Sequence, residues 1–250
     1  MTGTIAISGL ARHFQSRLND EYVAGMWRGT FPDCLLWYVR KSAHRTAQGR
    51  VSCQPRKYRA PSWSWLSIEA REVLGPEYHL DPQCEHELDI KLDCVDNDLT
   101  GLIRSGRLML INPEIRPVVL AVNPDQRRPT LVPDLIALEA DDLRFIGHVL
   151  LDNQLDNIET FPMHSVLYYV TICDFQKSGL LLARVWSDES ATYRRIGVVQ
   201  EFATCREPSC ARCSMLNSYE VLEIQPYQKW WNGVSIEYDR ILKRHTIHIV

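Results

Sequence analysis

Three cysteines near the end of the chain have a spacing that could hold a metal ion. Cys205, Cys210 and Cys213 follow a Cys-x4-Cys-x2-Cys pattern, which is typical of thiolates that share one zinc ion and also resembles plant-type iron–sulfur ligation. Either centre needs a fourth ligand from another part of the chain. Residues of a suitable type are Cys84, His86, His245 and His248. The alternative is a cysteine-rich surface loop between two strands, without metal.

A second group of residues has the types that bind organic ligands. Tyr58 and Arg59 shortly precede Trp63 and Trp65. Aromatic faces stack on ligands, and arginine binds carboxylate or phosphate. Large apolar and small polar residues alternate from Trp63 onwards, which predicts a half-buried strand entered through Pro61. Its tryptophans either line a ligand pocket or, as is usual for tryptophans on one strand face, fill the core.

Sequence motifs that mark common catalytic sites do not occur. The chain contains no Gly-x-Ser-x-Gly elbow, no His-Glu-x-x-His, no Walker loop and no Gly-x-Gly-x-x-Gly,. A catalytic triad can still assemble from distant segments, so the sequence leaves open whether the chain is an enzyme.

Composition and charge narrow the setting of the protein. The 250 residues have a net charge of −3 and a pI of about 6.2, and the basic pairs Arg127-Arg128 and Arg194-Arg195 are too short to change that balance. We therefore expect no nucleic-acid partner. No apolar run approaches the roughly 20 residues of a membrane span, and the first residues lack a basic leader. Eight cysteines without a secretion signal indicate buried thiols or metal ligands,, which predicts a cytoplasmic location.

The first forty residues have the apolar periodicity of short helices. Leu10, Phe14 and Leu18 recur every four residues along one side of a first helix,. A second helix would begin near Asp20, whose charge suits a helix N-terminus. The pattern restarts after Pro32. Because such short helices are marginal alone, we expect two or three of them to pack on a larger body.

From residue 58 to 250, short alternating or apolar segments are separated by polar turns, with few helices between them. This pattern favours antiparallel strands over βαβ units. The predicted fold is therefore α+β and mainly antiparallel β, a barrel or a sandwich with two to three N-terminal helices packed on it. We expect one domain over residues 1–250, with a helical lead at 1–40 and a β body at 58–250.

The order of several sequence blocks resembles a known family. Ser8-Gly-Leu-Ala-Arg-His-Phe, Asp20-Glu-Tyr-Val-Ala-Gly-Met-Trp-Arg, Leu35-Leu-Trp-Tyr-Val and Tyr58-Arg-Ala-Pro-Ser-Trp-Ser-Trp-Leu-Ser occur in this order. Together they resemble the region C-terminal to the fungal heterokaryon-incompatibility (HET) domain. The Ala-Pro-Ser-Trp-Ser-Trp block is the most specific part. Later pieces also fit: 179–182, 193–198 and 246–250.

This resemblance implies a role near fungal self/non-self recognition and cell death. The HET domain itself, to which that activity is attributed, has no counterpart in these 250 residues. The family has no agreed catalytic residues in this region, so the resemblance implies none. The first hypothesis is a non-catalytic regulatory or interaction domain with a protein partner.

The second hypothesis is a stand-alone enzyme of fungal secondary metabolism. A cyclase, pericyclase or isomerase of this kind would bind a hydrophobic small molecule in a β-lined pocket, and needs only shape, aromatic walls and one or two hydrogen-bond donors. An enclosed cavity lined by Tyr, Trp and Phe side chains would favour the enzyme, and a filled core would count against it. Apart from zinc at the cysteines, no cofactor is predicted.

Overall fold

A computed structural model describes residues 2–40, 53–70, 72–76, 87–95, 98–111, 113, 115–122, 135–139, 145–153, 167–173, 178–185, 192–200 and 246–250. Its α-helices are α1 (Thr2–Leu18) and α2 (Phe31–Cys34), and 3-10 helices lie at Arg28–Thr30 and Trp65–Ser67. Its strands are β1 (Tyr22–Val23), β2 (Met26–Trp27), β3 (Tyr38–Val39), β4 (Val73–Leu74), β5 (Glu87–Cys94), β6 (Ile103–Ile111), β7 (Ile115–Val122), β8 (Leu135–Glu139), β9 (Phe145–Leu151), β10 (Leu167–Cys173), β11 (Ser178–Arg184), β12 (Thr192–Gln200) and β13 (Thr246–Ile249).

Nine of these strands form one large sheet in the order β11-β10-β7-β8-β9-β12-β13-β6-β5, and β11 also pairs with β12. Neighbours are antiparallel except β12 and β13, which are parallel. The prediction of a mainly antiparallel β fold is confirmed. Among the described strands β5 pairs only with β6, so the sheet has an open edge and is not a barrel closed over all its strands.

Both faces of the large sheet are apolar where β11 lies. Leu180 and Leu182 belong to a core shared with the N-terminal segment, while Leu181 between them belongs to a separate core on the other face. All three side chains are fully buried. Because side chains alternate along a strand, a continuous apolar run is what burial on both faces requires.

The second helix predicted near Asp20 is wrong, because this segment forms the hairpin of β1 and β2. Val23 pairs with Met26 across the two-residue turn Ala24-Gly25. Both turn residues have positive φ, 47° and 93°, as the tight turns that suit the twist of a hairpin require. The later helix α2 has only four residues, so the prediction of two to three packed helices is not confirmed.

The apolar side of α1 faces away from the body. Leu10, Phe14 and Leu18 are 61%, 44% and 56% exposed, whereas Ala11 is buried. We expected the first three to pack on the β body, so the observed orientation corrects that expectation.

Polar side chains of α1 hold the helix against the turn that joins β5 and β6. Ser8 Oγ donates to the carbonyl of Thr100, and Arg12 Nε donates to Thr100 Oγ1 at 3.0 Å. Arg12 also forms an ion pair with Asp98. Hydrogen bonds from the Thr100 hydroxyl and from Arg12 lower the pKa of Asp98, because both stabilise the ionised carboxylate.

The strand predicted from Trp63 onwards is also wrong, because the chain turns there and forms the 3-10 helix Trp65–Ser67. Ser64 begins this helix: its Oγ accepts a hydrogen bond from Leu66 N at 3.1 Å and donates one to the carbonyl of Ala24 at 2.6 Å. A serine in this capping role stabilises a helix start, and local pairing of this kind competes with strand formation.

Candidate functional site

A cleft of about 690 Å3 opens where the large sheet forks. β12 pairs with β13 at residues 192–193 and with β9 at residues 197–200. Residues 194–196 lie between these two pairings and form part of the cleft wall. The remaining wall comes from 54–55, 58–60, 62, 67–68, 91–93, 104–107, 152–153 and Val250.

Ser62 supplies hydrogen bonds at the fork, where regular strand pairing is interrupted. Its backbone N donates to the carbonyl of Val250 at 3.1 Å, and its hydroxyl donates to the same carbonyl. The hydroxyl oxygen also accepts a hydrogen bond from the backbone N of Arg195 at 3.0 Å. Ser62 therefore anchors the loop wall of the cleft to β12 and to the end of β13.

Basic side chains dominate the charge of the cleft. Six cationic residues line it: Arg59, Lys91, Arg104, Arg107, Arg194 and Arg195. Two carboxylates, Asp93 and Asp152, line it as well. Arg59 and Lys91 each lie 3.8 Å from an acid beside the wall, Glu69 and Asp89 respectively, which leaves a surplus of two positive charges in a chain whose net charge is −3. A local field of this sign attracts anions.

Both carboxylates of the cleft are held by arginines. Asp152 accepts from the Nε of Arg195 at 2.9 Å, and Asp93 lies 3.5 Å from the Nη1 of Arg104. Within the described part of the chain, Arg107 has no acidic partner at this distance. The same holds for Arg194. Their guanidinium groups are thus available to a ligand.

Arg195 forms a rigid inner wall of the cleft and is buried completely. Besides Asp152, it donates to the carbonyls of Leu35 and Trp37, both at 2.5 Å, and its guanidinium lies 3.6 Å from the centroid of the Trp37 ring. Burial lowers the pKa of Arg195, while Asp152 acts in the opposite direction. These contacts tie the N-terminal segment to β12.

Two of the four predicted pocket residues line the cleft. Tyr58 is 55% exposed there, and burial of the rest of its ring raises the pKa of its phenol. Arg59 donates from Nη2 to the carbonyl of Ile68 at 3.0 Å and lies 3.8 Å from Glu69. Its buried Nε has no hydrogen-bond partner among the described residues.

The other two predicted pocket residues lie outside the cleft wall. Trp63 is fully buried and packs edge-on against Phe31, with ring centroids 5.5 Å apart. Trp65 packs against the same core and donates from its indole N to the carbonyl of Gly25 at 2.7 Å. Trp65 therefore joins the N-terminal hairpin to the body, and Trp63 joins α2 to it.

The predicted metal ligands lie mostly outside the described residues: Cys205, Cys210 and Cys213, with Cys84, His86 and His245. His248 is described, and burial, followed by the nearby charges of Arg107 and Lys91, lowers its pKa. Across the described ranges, no three His, Cys, Asp or Glu side chains are grouped so that they could hold a metal ion.

No protein-family model matches the chain, and no curated protein or solved structure matches it either. Among the helices of the described residues, none has the length and apolar character needed to cross a bilayer.

Sequence reasoning missed most of the cationic wall. Arg194 and Arg195 were visible as a short basic pair, yet one side chain lines the open cleft and the other forms its buried wall. Chemically, the cleft can bind an anionic group through guanidinium groups and an apolar body against Tyr58 and Leu92,.

Proposed function

We propose that the chain is a non-catalytic regulatory or interaction domain that binds an anionic ligand in the basic cleft. It is of the kind found C-terminal to the fungal HET domain, and it acts in the cytoplasm. The sequence blocks that resemble that region support the family setting. The charge of the cleft supports the binding role and indicates the sign of the ligand.

One arrangement carries the proposal. Both acids of the cleft wall face an arginine, whereas Arg107 and Arg194 have no acidic partner among the described residues. Asp152 is bound by Arg195, and Asp93 faces Arg104. A general base must reach the proton that it removes, and a carboxylate whose oxygens accept hydrogen bonds from an arginine is directed towards that arginine rather than towards a ligand. Arg107 and Arg194, in contrast, have the planar donors that bind phosphate or carboxylate.

The alternative of a cyclase or isomerase for a hydrophobic substrate has less support. That hypothesis expects a cavity enclosed by aromatic side chains. Tyr58 is the one aromatic residue of the described cleft wall, and charged residues surround it. An uncharged apolar substrate would have to displace water from several guanidinium groups without replacing their hydrogen bonds, which is unfavourable.

Thermal unfolding in the presence of ligand panels tests the proposal. Phosphate and carboxylate compounds should raise the melting temperature at constant ionic strength, while their uncharged analogues should not, because only a ligand that binds the folded state stabilises it. Arg107→Gln should abolish the shift.

Arg17→Gln is the matched control, since Arg17 lies on α1 away from the cleft wall and its loss removes the same charge. Stabilisation by uncharged apolar compounds that survives Arg107→Gln would overturn the proposal. Equal loss in the two variants would do the same, because the effect would then be one of net charge.

A further inference from the structure

We infer that the edge of β5 that faces away from β6 pairs with β5 of a second copy of this chain, antiparallel and centred on Ile90. Among the described strands β5 ends the large sheet and pairs only with β6. The backbone N–H and C=O groups on its other side have no described partner, so another strand can pair with them. Anion binding does not enter this inference, which is therefore independent of the proposed function.

The strand β5 lacks most of the features that protect a sheet edge from pairing. Protected edges are usually short, bulged, covered or interrupted by proline or by a charge that points inwards. β5 has eight residues and no proline, and its one irregularity of register lies at its end, after Asp93. The row that points towards the core is apolar: Leu88, Ile90 and Leu92. Because these three side chains are only partly buried, apolar surface remains for a second strand to cover.

Side-chain alternation limits how two copies of β5 can pair. Its charged residues occupy the row opposite the apolar row, since neighbours along a strand point to opposite faces,. A register that opposed the charged row to the apolar row would leave apolar side chains against water. Centring the pair on Ile90 keeps the apolar rows together, because Ile90 then faces itself and Leu88 faces Leu92 of the second copy.

Charge selects this register among those that alternation allows. It places Asp89 opposite Lys91 of the second copy, and symmetry gives the same contact twice. Both side chains are open to a partner, since Asp89 is 44% and Lys91 is 78% exposed, and their ion pair within one chain is long at 3.8 Å. Such an exposed pair is weak and does not prevent contacts across the dimer. Centring the pair on residue 89 or 91 would instead place that residue opposite itself, and like charges in this position are destabilising.

The proposed register also has one unfavourable contact and one useful consequence. Glu87 lies opposite Asp93 of the second copy, but Arg104 Nη1 is 3.5 Å from Asp93 Oδ1 and offsets part of the repulsion. Residues 87–93 of each chain then pair, which gives about six to eight backbone hydrogen bonds. The two large sheets continue across the dimer, and Leu88 of the second copy lies beside Leu92 at the wall of the basic cleft.

Sedimentation velocity over a concentration series tests this interface through charge reversal. Wild type should show a monomer–dimer equilibrium. Lys91→Asp and Asp89→Lys should each weaken dimerisation by about tenfold or more, because each turns both cross-dimer contacts into like-charge pairs. Lys57→Asp is the matched control, since Lys57 is exposed outside the strands and undergoes the same change of charge. This control should dimerise like wild type.

A mixture of the two β5 variants tests the register itself. Lys91→Asp and Asp89→Lys should each be largely monomeric alone, but together they should form a heterodimer, because every contact between positions 89 and 91 of the unlike chains then joins opposite charges. A double variant with both substitutions should dimerise like wild type, since it only exchanges the two charges. Thermal unfolding of each variant shows that the fold is retained.

Three outcomes would overturn the inference. Wild type that remains monomeric at about 100 μM would exclude a specific interface of this kind. A dimer that both charge variants leave intact would place the interface elsewhere, with the exposed apolar side of α1 as the next candidate. Slow hydrogen–deuterium exchange in the monomeric variants, at those β5 amides that do not bond to β6, would show that the chain covers this edge itself. The proposed anion site is judged separately, because none of these measurements depends on it.

Discussion

Arg195 and Asp152 form a buried ion pair with two hydrogen bonds, from Nε to Oδ2 at 2.9 Å and from Nη2 to Oδ1 at 3.0 Å. The Arg195 side chain is fully buried and that of Asp152 is 5% exposed. The same guanidinium group binds the carbonyls of Leu35 and Trp37. One side chain thus joins β12, the end of β9 and the N-terminal segment behind the cleft.

Arg195→Gln should destabilise the fold by about 3–5 kcal/mol, because it leaves the carboxylate of Asp152 buried without its cation. Arg40→Gln is the matched control, since Arg40 pairs with Glu72 at 3.2 Å while 63% exposed. An exposed pair of this kind contributes at most about 1 kcal/mol. Urea unfolding followed by tryptophan fluorescence measures both values. Equal, small losses in the two variants would contradict the structural role of Arg195.

Two glycine substitutions should change stability in opposite directions. Gly25 has a φ of +93°, and a Cβ there would lie 2.9 Å from the indole N of Trp65. Gly25→Ala should therefore cost about 1–2 kcal/mol from the left-handed backbone, with a further cost because Trp65 must move.

Gly9 lies inside α1, and a Cβ at this position would meet no atom within 4 Å. Gly9→Ala should stabilise by about 0.5–1 kcal/mol, because alanine favours a helix interior. Chemical unfolding of both variants measures the signs. A stabilising Gly25→Ala would show that the turn between β1 and β2 is not left-handed.

Substitutions of Trp63 and Tyr58 should affect different properties: the first should lower the stability of the fold, and the second should weaken ligand binding. Trp63→Ala removes a fully buried ring and should destabilise by about 3–5 kcal/mol. Tyr58→Ala changes a ring that is 55% exposed, so its effect on stability should stay within about 0.5 kcal/mol.

The same Tyr58→Ala variant should weaken binding of hexyl phosphate, because the ring supplies apolar contact in the cleft. Calorimetry on this variant gives the affinity, and urea unfolding gives the stability. An unchanged affinity together with a large loss of stability would place Tyr58 in the core.

Alkaline pH should destabilise the fold partly through Tyr193. Burial, and then the neighbouring Tyr168, raise the pKa of Tyr193 above its usual value of 10.0. The unfolded chain therefore loses this proton at lower pH than the folded chain. The stability that follows is fully present below about pH 10 and is lost as pH rises through the folded pKa.

Melting temperatures and tyrosinate absorbance between neutral pH and about pH 11 check this prediction. Tyr193→Phe should make the alkaline loss of stability shallower, since the phenyl ring has no proton to lose. An identical pH profile in the two proteins would show that Tyr193 does not contribute.

The alternation of apolar and polar residues along the strands made the β body predictable. The structure of residues 20–27 was harder to predict from the sequence. Tyr22, Val23, Met26 and Trp27 have spacing compatible with a helix, and the Ala24-Gly25 turn was the signal for a hairpin. A two-residue turn with positive φ decides this segment locally. Apolar periodicity alone could not separate the two structures.

The cleft could be predicted only in part, because most of its charges come from distant strands. Tyr58 and Arg59 are adjacent in sequence and were found together. The pairing of β5 with β6, and the insertion of β13 between β6 and β12, bring three cationic residues to the wall of one cleft: Lys91, Arg107 and Arg194. Register and strand order of this kind are not visible in one sequence without its pairings.

The most direct test of the anion-binding cleft is an NMR titration of 15N-labelled arginine side chains with inorganic phosphate. The Nε–Hε signals of Arg107 and Arg194 should shift and saturate, while those of buried Arg195 and of Arg17 on α1 should stay unchanged. Shifts of Arg17 as large as those of Arg107 and Arg194, without saturation, would contradict a specific site in the cleft.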